Sequence, residues 1–203
     1  MTDEKRPYRK KRRAELEAQT RQRIVESAVE LHGSVGPSRT TMSAIAERAA
    51  VRRSTLYRHF PDEAAVFMAC SAHWRDANPR PDLDRWAAIE DPDERLRSAL
   101  EELYAYYGRT HGMLENLLRD EATVPSVRRL FGGFYDYIAA AGDTLMQGRG
   151  VRGRARRLTR AAIGHALGLM TWRSLVREQE LEDSQAVELM CRLVAAAGEA
   201  RAG

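Results

Sequence analysis

The stretch from Thr41 to Phe60 carries the side chains with the clearest chemical meaning in this sequence. Apolar residues recur there with helical spacing on either side of a short turn, which predicts two short helices. Such a second helix would have a polar side made of donors and cations without an acid, namely Arg52, Arg53, Thr55, Tyr57, Arg58 and His59. This surface suits the major groove of DNA, where base edges offer acceptors. The sequence therefore predicts a helix-turn-helix whose second helix reads DNA.

Apolar side chains in the same stretch predict how the two helices pack. Ile45 and Ala49 form the inner face of the first helix, and Val51 fills the turn from inside. Leu56 and Phe60 bury the second helix. An αα-corner inside a helical enzyme would show a similar apolar pattern, but it does not explain an exposed face with three arginines and no acid.

Charge is divided unevenly along the chain. The net charge is +4, yet residues 1–60 carry +7 and residues 61–203 carry −3. Basic residues 1–60 followed by slightly acidic residues 61–203 favour a polyanionic partner for the basic region. The alternative is a solvated basic tail. Residues 1–19 are interpreted as a mobile basic arm and the start of a first helix.

Composition is that of a globular protein of one or two domains. The 203 residues are 43% hydrophobic and 31% charged, which suffices for a core without a metal or disulfide. Two cysteines do not make a disulfide framework and fit a reducing cytoplasm. The N-terminus lacks the apolar segment of a signal peptide, and the longest weakly polar run, Ala161–Trp172, is too short to cross a bilayer. We expect a cytoplasmic protein that does not bind membranes.

Signals for catalysis are weak. None of the five histidines follows a glutamate by three residues, and no His-Glu-x-x-His occurs. Gly148, Gly150 and Gly153 alternate with arginines, which is a weak anion-site pattern and more typical of a solvated loop. We expect no enzyme activity, no metal and no cofactor.

Helical periodicity covers the rest of the chain, and no alternating run of β-branched residues indicates a strand. The prediction is an all-α fold of about nine helices, with breaks at glycine and proline. Besides the two short helices, the first half of the chain is predicted to contain a first helix that ends at Gly33 and a helix from Pro61 to Asp76. A helix capped by Asp91 and ending at Gly108 follows, and then an apolar stripe at 113–118. The remaining elements are a helix that opens at Pro125, a loop over 147–157, a long helix from Leu158 to about Glu178, and a last helix capped by Asp183 or Ser184.

Two motifs carry a family resemblance. After a basic arm and an amphipathic helix come Thr40-Thr41-Met42-Ser43-x-Ile45-Ala46 and then Ser54-Thr55-Leu56-Tyr57-x-His59-Phe60-Pro61. This order resembles the TetR family of bacterial transcriptional regulators over about residues 20–70, whereas residues 80–203 resemble it only in helix number, length and order. The resemblance implies a three-helix DNA-binding domain at 20–62 and an effector-binding and dimerisation domain at 63–203. It also implies a homodimeric repressor, released from a palindromic operator by a small molecule.

The same resemblance implies roles for the DNA-binding residues. Thr41, Ser43, Tyr57 and His59 would hold backbone phosphates, and the residues nearest the bases would be Arg52, Arg53 and Thr55. Family members usually have glycine where this chain has Ala50, and a left-handed residue with a Cβ costs about 1 kcal/mol. They often have lysine where this chain has Glu63, so one phosphate contact is lost, for which Arg58 or the arm would compensate.

Large aromatic residues in the second region predict a cavity for a small apolar or aromatic effector. Ordinary core packing is the alternative for each of them. The predicted lining residues are Trp74, Tyr104, Tyr107, His111, Leu117, Phe134 and Met170.

Gly164 and Gly168 lie four residues apart within a predicted helix, where glycine costs about 1 kcal/mol each. Close approach of another helix would explain them; room for the pocket or for an intramolecular contact are the alternatives. By resemblance, the last two helices form a four-helix dimer interface, and the residues predicted for it are Gly164, Leu167, Gly168, Leu189 and Leu193.

Two other classes of function remain as alternatives. A small helical enzyme with a nucleic-acid-binding front is disfavoured because metal and nucleophile motifs are missing. An architectural DNA-binding protein without an effector is disfavoured because it has little use for a body of about 120 residues behind the helix-turn-helix.

Overall fold

A computed structural model describes residues 5–199, and every regular element in that range is helical. The predicted all-α fold is therefore confirmed, with ten α-helices where about nine were expected. Their bounds are α1 Lys5–Ser34, α2 Met42–Arg48, α3 Arg53–His59, α4 Glu63–Ala77, α5 Leu83–Ala87, α6 Pro92–Asp120, α7 Pro125–Met146, α8 Gly153–Ala166, α9 Leu169–Trp172 and α10 Asp183–Glu199. A 3₁₀ turn covers Pro37–Arg39, and a π-helical segment, Arg173–Glu178, follows α9.

From Lys5 onward the predicted basic arm is helical and belongs to α1, and its mobility stays a prediction. Helix α1 begins at Lys5, and only residues 1–4 of the predicted arm lie outside the described part of the chain. Lysine, arginine, glutamate and alanine are all good helix formers, so the arm extends the amphipathic helix behind it. Arg13 and Glu17 add an ion pair one turn apart.

Two compact units make up the described chain. The first contains the residues up to Asn78 together with Gly112–Arg129, and the second contains Pro79–His111 and the residues from Leu130 onward. The predicted boundary between a DNA-binding domain that ends at residue 62 and an effector-binding and dimerisation domain that begins at residue 63 divides the chain by function. This boundary stays a prediction. None of the described helices is long and apolar enough to span a membrane.

The first unit has the inner face that the sequence predicts for the helix-turn-helix. Ile45 and Ala49 of α2 are buried, as are Leu56 of α3 and Phe60 after it, while Val51 in the turn is partly buried. Side chains of α1 and α4 complete this core, including Ile24, Ala28, Val66 and Cys70.

Side-chain caps fix where three helices begin. The Thr41 hydroxyl accepts the N–H of Ala44 at 3.1 Å, and the Asp62 carboxylate accepts that of Ala65 at 2.7 Å. Asp91 accepts the N–H groups at positions 93 and 94, which confirms its predicted role as the cap of α6.

Helix α6 does not end at Gly108 as predicted but runs unbroken to Asp120. Gly108 and Gly112 are exposed on it, and a Cβ at either position would meet nothing within 4 Å. The two glycines cost about 1 kcal/mol each, while buried side chains such as Leu103, Tyr107 and Leu114 continue one apolar face through them. The packing of that face outweighs the local cost.

The predicted helix from Leu158 to Glu178 is interrupted, and it also starts earlier, at Gly153. Gly168 is the extended N-cap residue of α9, with φ −71° and ψ 130°. A Cβ at Gly168 would lie 3.2 Å from both the His165 carbonyl oxygen and Thr171 Oγ1. A side chain at Gly168 would therefore crowd its own protomer, which agrees with room for an intramolecular contact, one of the alternatives for this glycine.

In the second unit a buried arginine joins the start of α6 to the end of α7. The Arg95 guanidinium donates to the carbonyls of Ile89 and Glu90 and to those of Thr144 and Gln147. These bonds join the segment before α6 to the C-terminal end of α7.

Candidate DNA interface

Helix α3 presents the cationic face that the sequence predicts. Arg52 is its N-cap residue, and Arg53, Tyr57 and Arg58 are exposed, while Thr55 is partly buried. The Arg53 guanidinium lies 5.9 Å from the centre of the Tyr57 ring. Among the described residues none of the three arginines has an acidic partner within ion-pair distance. They are therefore available for an external anion.

Contacts across the first unit hold α3 in place. The guanidinium of Arg21 in α1 lies 4.5 Å from the centre of the Phe60 ring, just after α3. Arg48 of α2 forms an ion pair with Glu30 of α1. Neither pairing could be predicted, because no local spacing in the sequence marks the partners.

The predicted phosphate contacts differ in accessibility. Thr41 and Ser43 are exposed at the start of α2, and the Thr41 hydroxyl, which accepts a bond as cap, keeps its own proton for donation. His59 is only partly exposed, and its Nε2 atom is buried without a hydrogen-bond partner. A phosphate contact by His59 therefore requires its Nδ1 atom or a rotated ring.

The turn between α2 and α3 has the left-handed residue that the family pattern implies. Ala50 has φ +52°, its N–H donates to the Glu47 carbonyl, and the N–H of Val51 donates to that of Ala46. A residue with a Cβ in this left-handed conformation lowers the free energy of unfolding by about 1 kcal/mol relative to glycine.

Replacing Ala50 by glycine is therefore expected to raise the free energy of unfolding by about 1 kcal/mol, measured by urea denaturation. The matched control is Ala72→Gly, at an exposed position inside α4. Ala72→Gly should lower the free energy of unfolding by about 1 kcal/mol, because residue 72 lies inside a helix, where glycine is less favourable than alanine. Equal effects of the two substitutions would contradict the strain at Ala50.

Glu63 is exposed in the first turn of α4, where it offers a carboxylate instead of the lysine common in the family. Glu63→Lys is expected to tighten DNA binding by roughly five- to tenfold at moderate salt and to steepen the salt dependence by about one ion. Glu63→Gln, which only removes the repulsion, should have a smaller effect. Titrations at several salt concentrations measure both, and an unchanged slope for the lysine variant would exclude a phosphate beside this position.

Residues predicted for the effector cavity are divided between the two units. Trp74 and Leu117 belong to the first unit, and the other five belong to the second. The Tyr104 and Tyr107 hydroxyls donate to the carbonyls of Ala166 and Leu167, and burial raises the pKa of both phenols. Within the second unit, Tyr107 and His111 both lie against Trp172, Phe134 packs on Phe131 and Tyr135, and Met170 is 49% exposed.

Residues predicted for the dimer interface also differ in exposure. Gly164 is open, since a Cβ there would meet nothing within 4 Å, and Leu189 and Leu193 are 44% and 42% exposed on α10. Leu167, the C-cap residue of α8, is completely buried within the second unit. Its side chain is therefore not available to a partner. Leu158 on α8 is also exposed, at 38%, and was not among the residues predicted for the interface.

The segment from Gly148 to Gly153 has the spacing Gly-x-Gly-x-x-Gly of dinucleotide-binding turns. That motif requires a preceding strand, whereas the element before this segment is helix α7. Arg149 within it is already engaged by Asp93 and by the Leu145 and Pro92 carbonyls. The loop predicted over 147–157 is shorter in the structure, because α8 begins at Gly153, and its Arg149 side chain is buried and not solvated.

Comparison with known proteins assigns the helix-turn-helix to a family. Residues 24–70 match the family model described as bacterial regulatory proteins, tetR family. Over these residues the chain is similar to the TetR family of bacterial regulatory proteins, which confirms the resemblance seen in the two sequence motifs. No curated protein matches the chain.

Solved structures similar to this one extend over most of the chain. A TetR-like transcriptional regulator from Rhodococcus sp. RHA1 is 21% identical, with TM-score 0.62 and coverage of 89% of this chain and 97% of that one. NalD of Pseudomonas aeruginosa, the secondary repressor of the MexAB-OprM multidrug efflux pump, is 18% identical, with TM-score 0.61 and coverage of 90% and 97%. FadR of Bacillus subtilis, in complex with stearoyl-CoA, is 16% identical, with TM-score 0.56 and coverage of 88% and 97%. These similarities show a shared fold.

Proposed function

We propose that this protein is a ligand-responsive, sequence-specific transcriptional regulator that represses from an inverted-repeat operator in the cytoplasm. The observation that carries the proposal is the exposed face of α3, where Arg52, Arg53 and Arg58 have no acidic partner among the described residues. Cations on a short exposed helix attract phosphates, and arginine pairs with guanine in the major groove. The basic residues near the start of α1 add to this attraction.

Assembly as a homodimer would present two such helices to one DNA duplex. The exposed apolar side chains on α8 and α10, Leu158, Leu189 and Leu193, favour an isologous contact with a second copy. A two-fold dimer binds half-sites about 34 Å apart, so the operator is expected to be an inverted repeat.

The effector is proposed to be a small apolar or aromatic molecule that binds among the aromatic residues of the region after residue 63. NalD is a repressor, and FadR was solved with stearoyl-CoA, which supports both parts of the proposal by analogy. For the ligand to release DNA, it must bind the DNA-free arrangement more tightly than the DNA-bound one.

Selection from random duplexes tests the DNA half of this proposal. An enriched inverted repeat that binds with a nanomolar dissociation constant at moderate salt is expected. Enrichment of no repeat would overturn the proposal.

A thermal-shift screen of aromatic and aliphatic compounds, with stearoyl-CoA among them, tests the effector half. Compounds that raise the melting temperature are then titrated against the operator complex. A regulator releases DNA at ligand concentrations near the dissociation constant of the ligand. If none of the compounds changes operator affinity, a constitutive DNA-binding protein is the better description.

A further inference from the structure

Three side chains on the last turn of α6 bind the backbone that connects α1 to α2 in the first unit. Asn116 donates to the carbonyls of His32 and Gly33 at the end of α1, at 3.1 and 2.7 Å. Arg119 Nη2 donates to the Val35 carbonyl at 2.9 Å, and Asp120 Oδ2 accepts the Ser38 N–H at 2.9 Å. We call residues 35–41 the α1–α2 linker. The Arg119 and Asp120 bonds join this linker, and the Asn116 bonds join the end of α1, to residues more than 80 positions later in the chain.

Asp120 is the centre of this contact. It is only 3% exposed, and its Oδ1 accepts the Arg119 Nε at 2.9 Å. Burial would raise the pKa of Asp120, but hydrogen bonds from Arg119 and Ser38 outweigh burial and lower the pKa. A charged carboxylate enclosed in this way is held by its partners and in turn fixes their positions.

Gly36 makes room for the contact. Its φ of +92° favours glycine, and a Cβ there would lie 2.6 Å from Asp120 Oδ2 and would also collide with the Arg119 guanidinium. The linker backbone is therefore shaped to receive both side chains of α6.

The linker leads directly to the start of α2. Thr40 is held by its hydroxyl, which donates to the Gly36 carbonyl at 2.8 Å, and by its N–H, which donates to that of Pro37 at 3.1 Å. Thr41, the next residue, is the N-cap of α2 and a proposed phosphate contact. A shift of the linker would therefore move the start of the helix-turn-helix.

We propose that Asp120, supported by Asn116 and Arg119, is a positioning residue that sets the geometry of α2 for operator binding. This proposal rests on the proposed function as a DNA-binding regulator.

Asp120→Asn tests the proposal because electrostatics and positioning predict opposite results. Removal of a negative charge should strengthen DNA binding if only net charge matters. Asparagine keeps one acceptor oxygen but lacks the charge and the second acceptor, so at least one of the Ser38 and Arg119 bonds is lost. This loss should instead weaken binding to the selected operator about tenfold, the effect of one charge-assisted hydrogen bond. Affinity for a random-sequence duplex should fall much less, because binding without base readout does not require the register that the α2 phosphate contacts set. Both affinities are measured at 10 °C, where a moderately destabilised variant stays folded.

Asp76→Asn is the matched control, since Asp76 is an exposed acid on α4 in the same unit. It should leave the ratio of operator to random-duplex affinity unchanged. Asn116→Ala, which keeps Asp120 charged, provides a second and milder disturbance and should lower the same ratio. Hydrogen exchange of the Ser38 amide should accelerate in Asp120→Asn without DNA present.

The possible outcomes separate the two proposals. If the wild-type chain prefers no operator, the proposed function fails and this inference fails with it. If the wild type shows a preference that both variants retain, only the positioning role is overturned. Unchanged exchange of the Ser38 amide in Asp120→Asn would also overturn it.

Discussion

Arg53→Ala is expected to weaken binding to the selected operator by about 1–3 kcal/mol, which is roughly a tenfold to hundredfold loss. The residue is exposed near the start of α3 and has no acidic partner among the described residues, so its removal leaves the protomer intact. Because arginine specifies guanine through two donors, the variant should also lose preference at one base position of each half-site. Titrations against operators substituted at single positions measure both effects.

Tyr57→Phe provides the contrasting variant on the same face. Tyr57 is 42% exposed and is predicted to hold a phosphate through its hydroxyl. Its loss should weaken all sequences to a similar degree and leave base preferences unchanged.

Arg75→Ala, which removes a partly exposed arginine of α4, controls for the loss of one cation in the first unit. It should change operator affinity much less than Arg53→Ala. If the three variants were to weaken binding equally at every base position, α3 would not be the helix that reads DNA.

Local signals explain why the helix-turn-helix could be predicted from the sequence. Its helices, its turn and its inner face depend on residues within about twenty positions of one another, such as Ile45, Ala50 and Leu56. Periodicity, capping and the family motifs all operate at this range. The same is true of the Asp91 cap.

Features that depend on distant partners could not be predicted. The continuity of α6 through Gly108 and Gly112 results from packing of its apolar face, which outweighs a local preference. Asp120 has its partners more than 80 residues away, so no spacing in the sequence marks it.

Burial separates residues that the sequence analysis had grouped together. Leu167 and Leu193 share a helical pattern and an apolar character, yet the first is fully buried and the second is 42% exposed. Periodicity shows which residues lie on an apolar face, but it does not show whether this chain or a second copy covers that face. The apolar residues that stay exposed, such as Leu193, define the surface to test for association with a second copy.

Monomers are the expected result when Leu189 and Leu193 are both replaced by glutamate. Each side chain is nearly half exposed on α10, so the protomer should fold. In a two-fold dimer the substitutions would place four carboxylates in an apolar contact, and each buried charge without a partner costs several kcal/mol. Sedimentation velocity at micromolar concentration measures the change in mass.

Operator affinity should fall together with the dimer. A monomer engages one half-site and loses the advantage of a second linked contact, so a loss of at least about a hundredfold is expected. The matched control is Met68→Glu, which places the same charge on an apolar residue of α4 that is 54% exposed. This control should remain dimeric.

Gly164→Leu gives an independent test of the same surface, because a Cβ at Gly164 has open space within the protomer. Its bulk should weaken the association of two copies without unfolding either. Gly168→Leu is not equivalent, since it would disturb the start of α9 inside each protomer. If the double glutamate variant and Gly164→Leu both sediment as dimers and keep full operator affinity, the two copies associate through a surface other than α8 and α10.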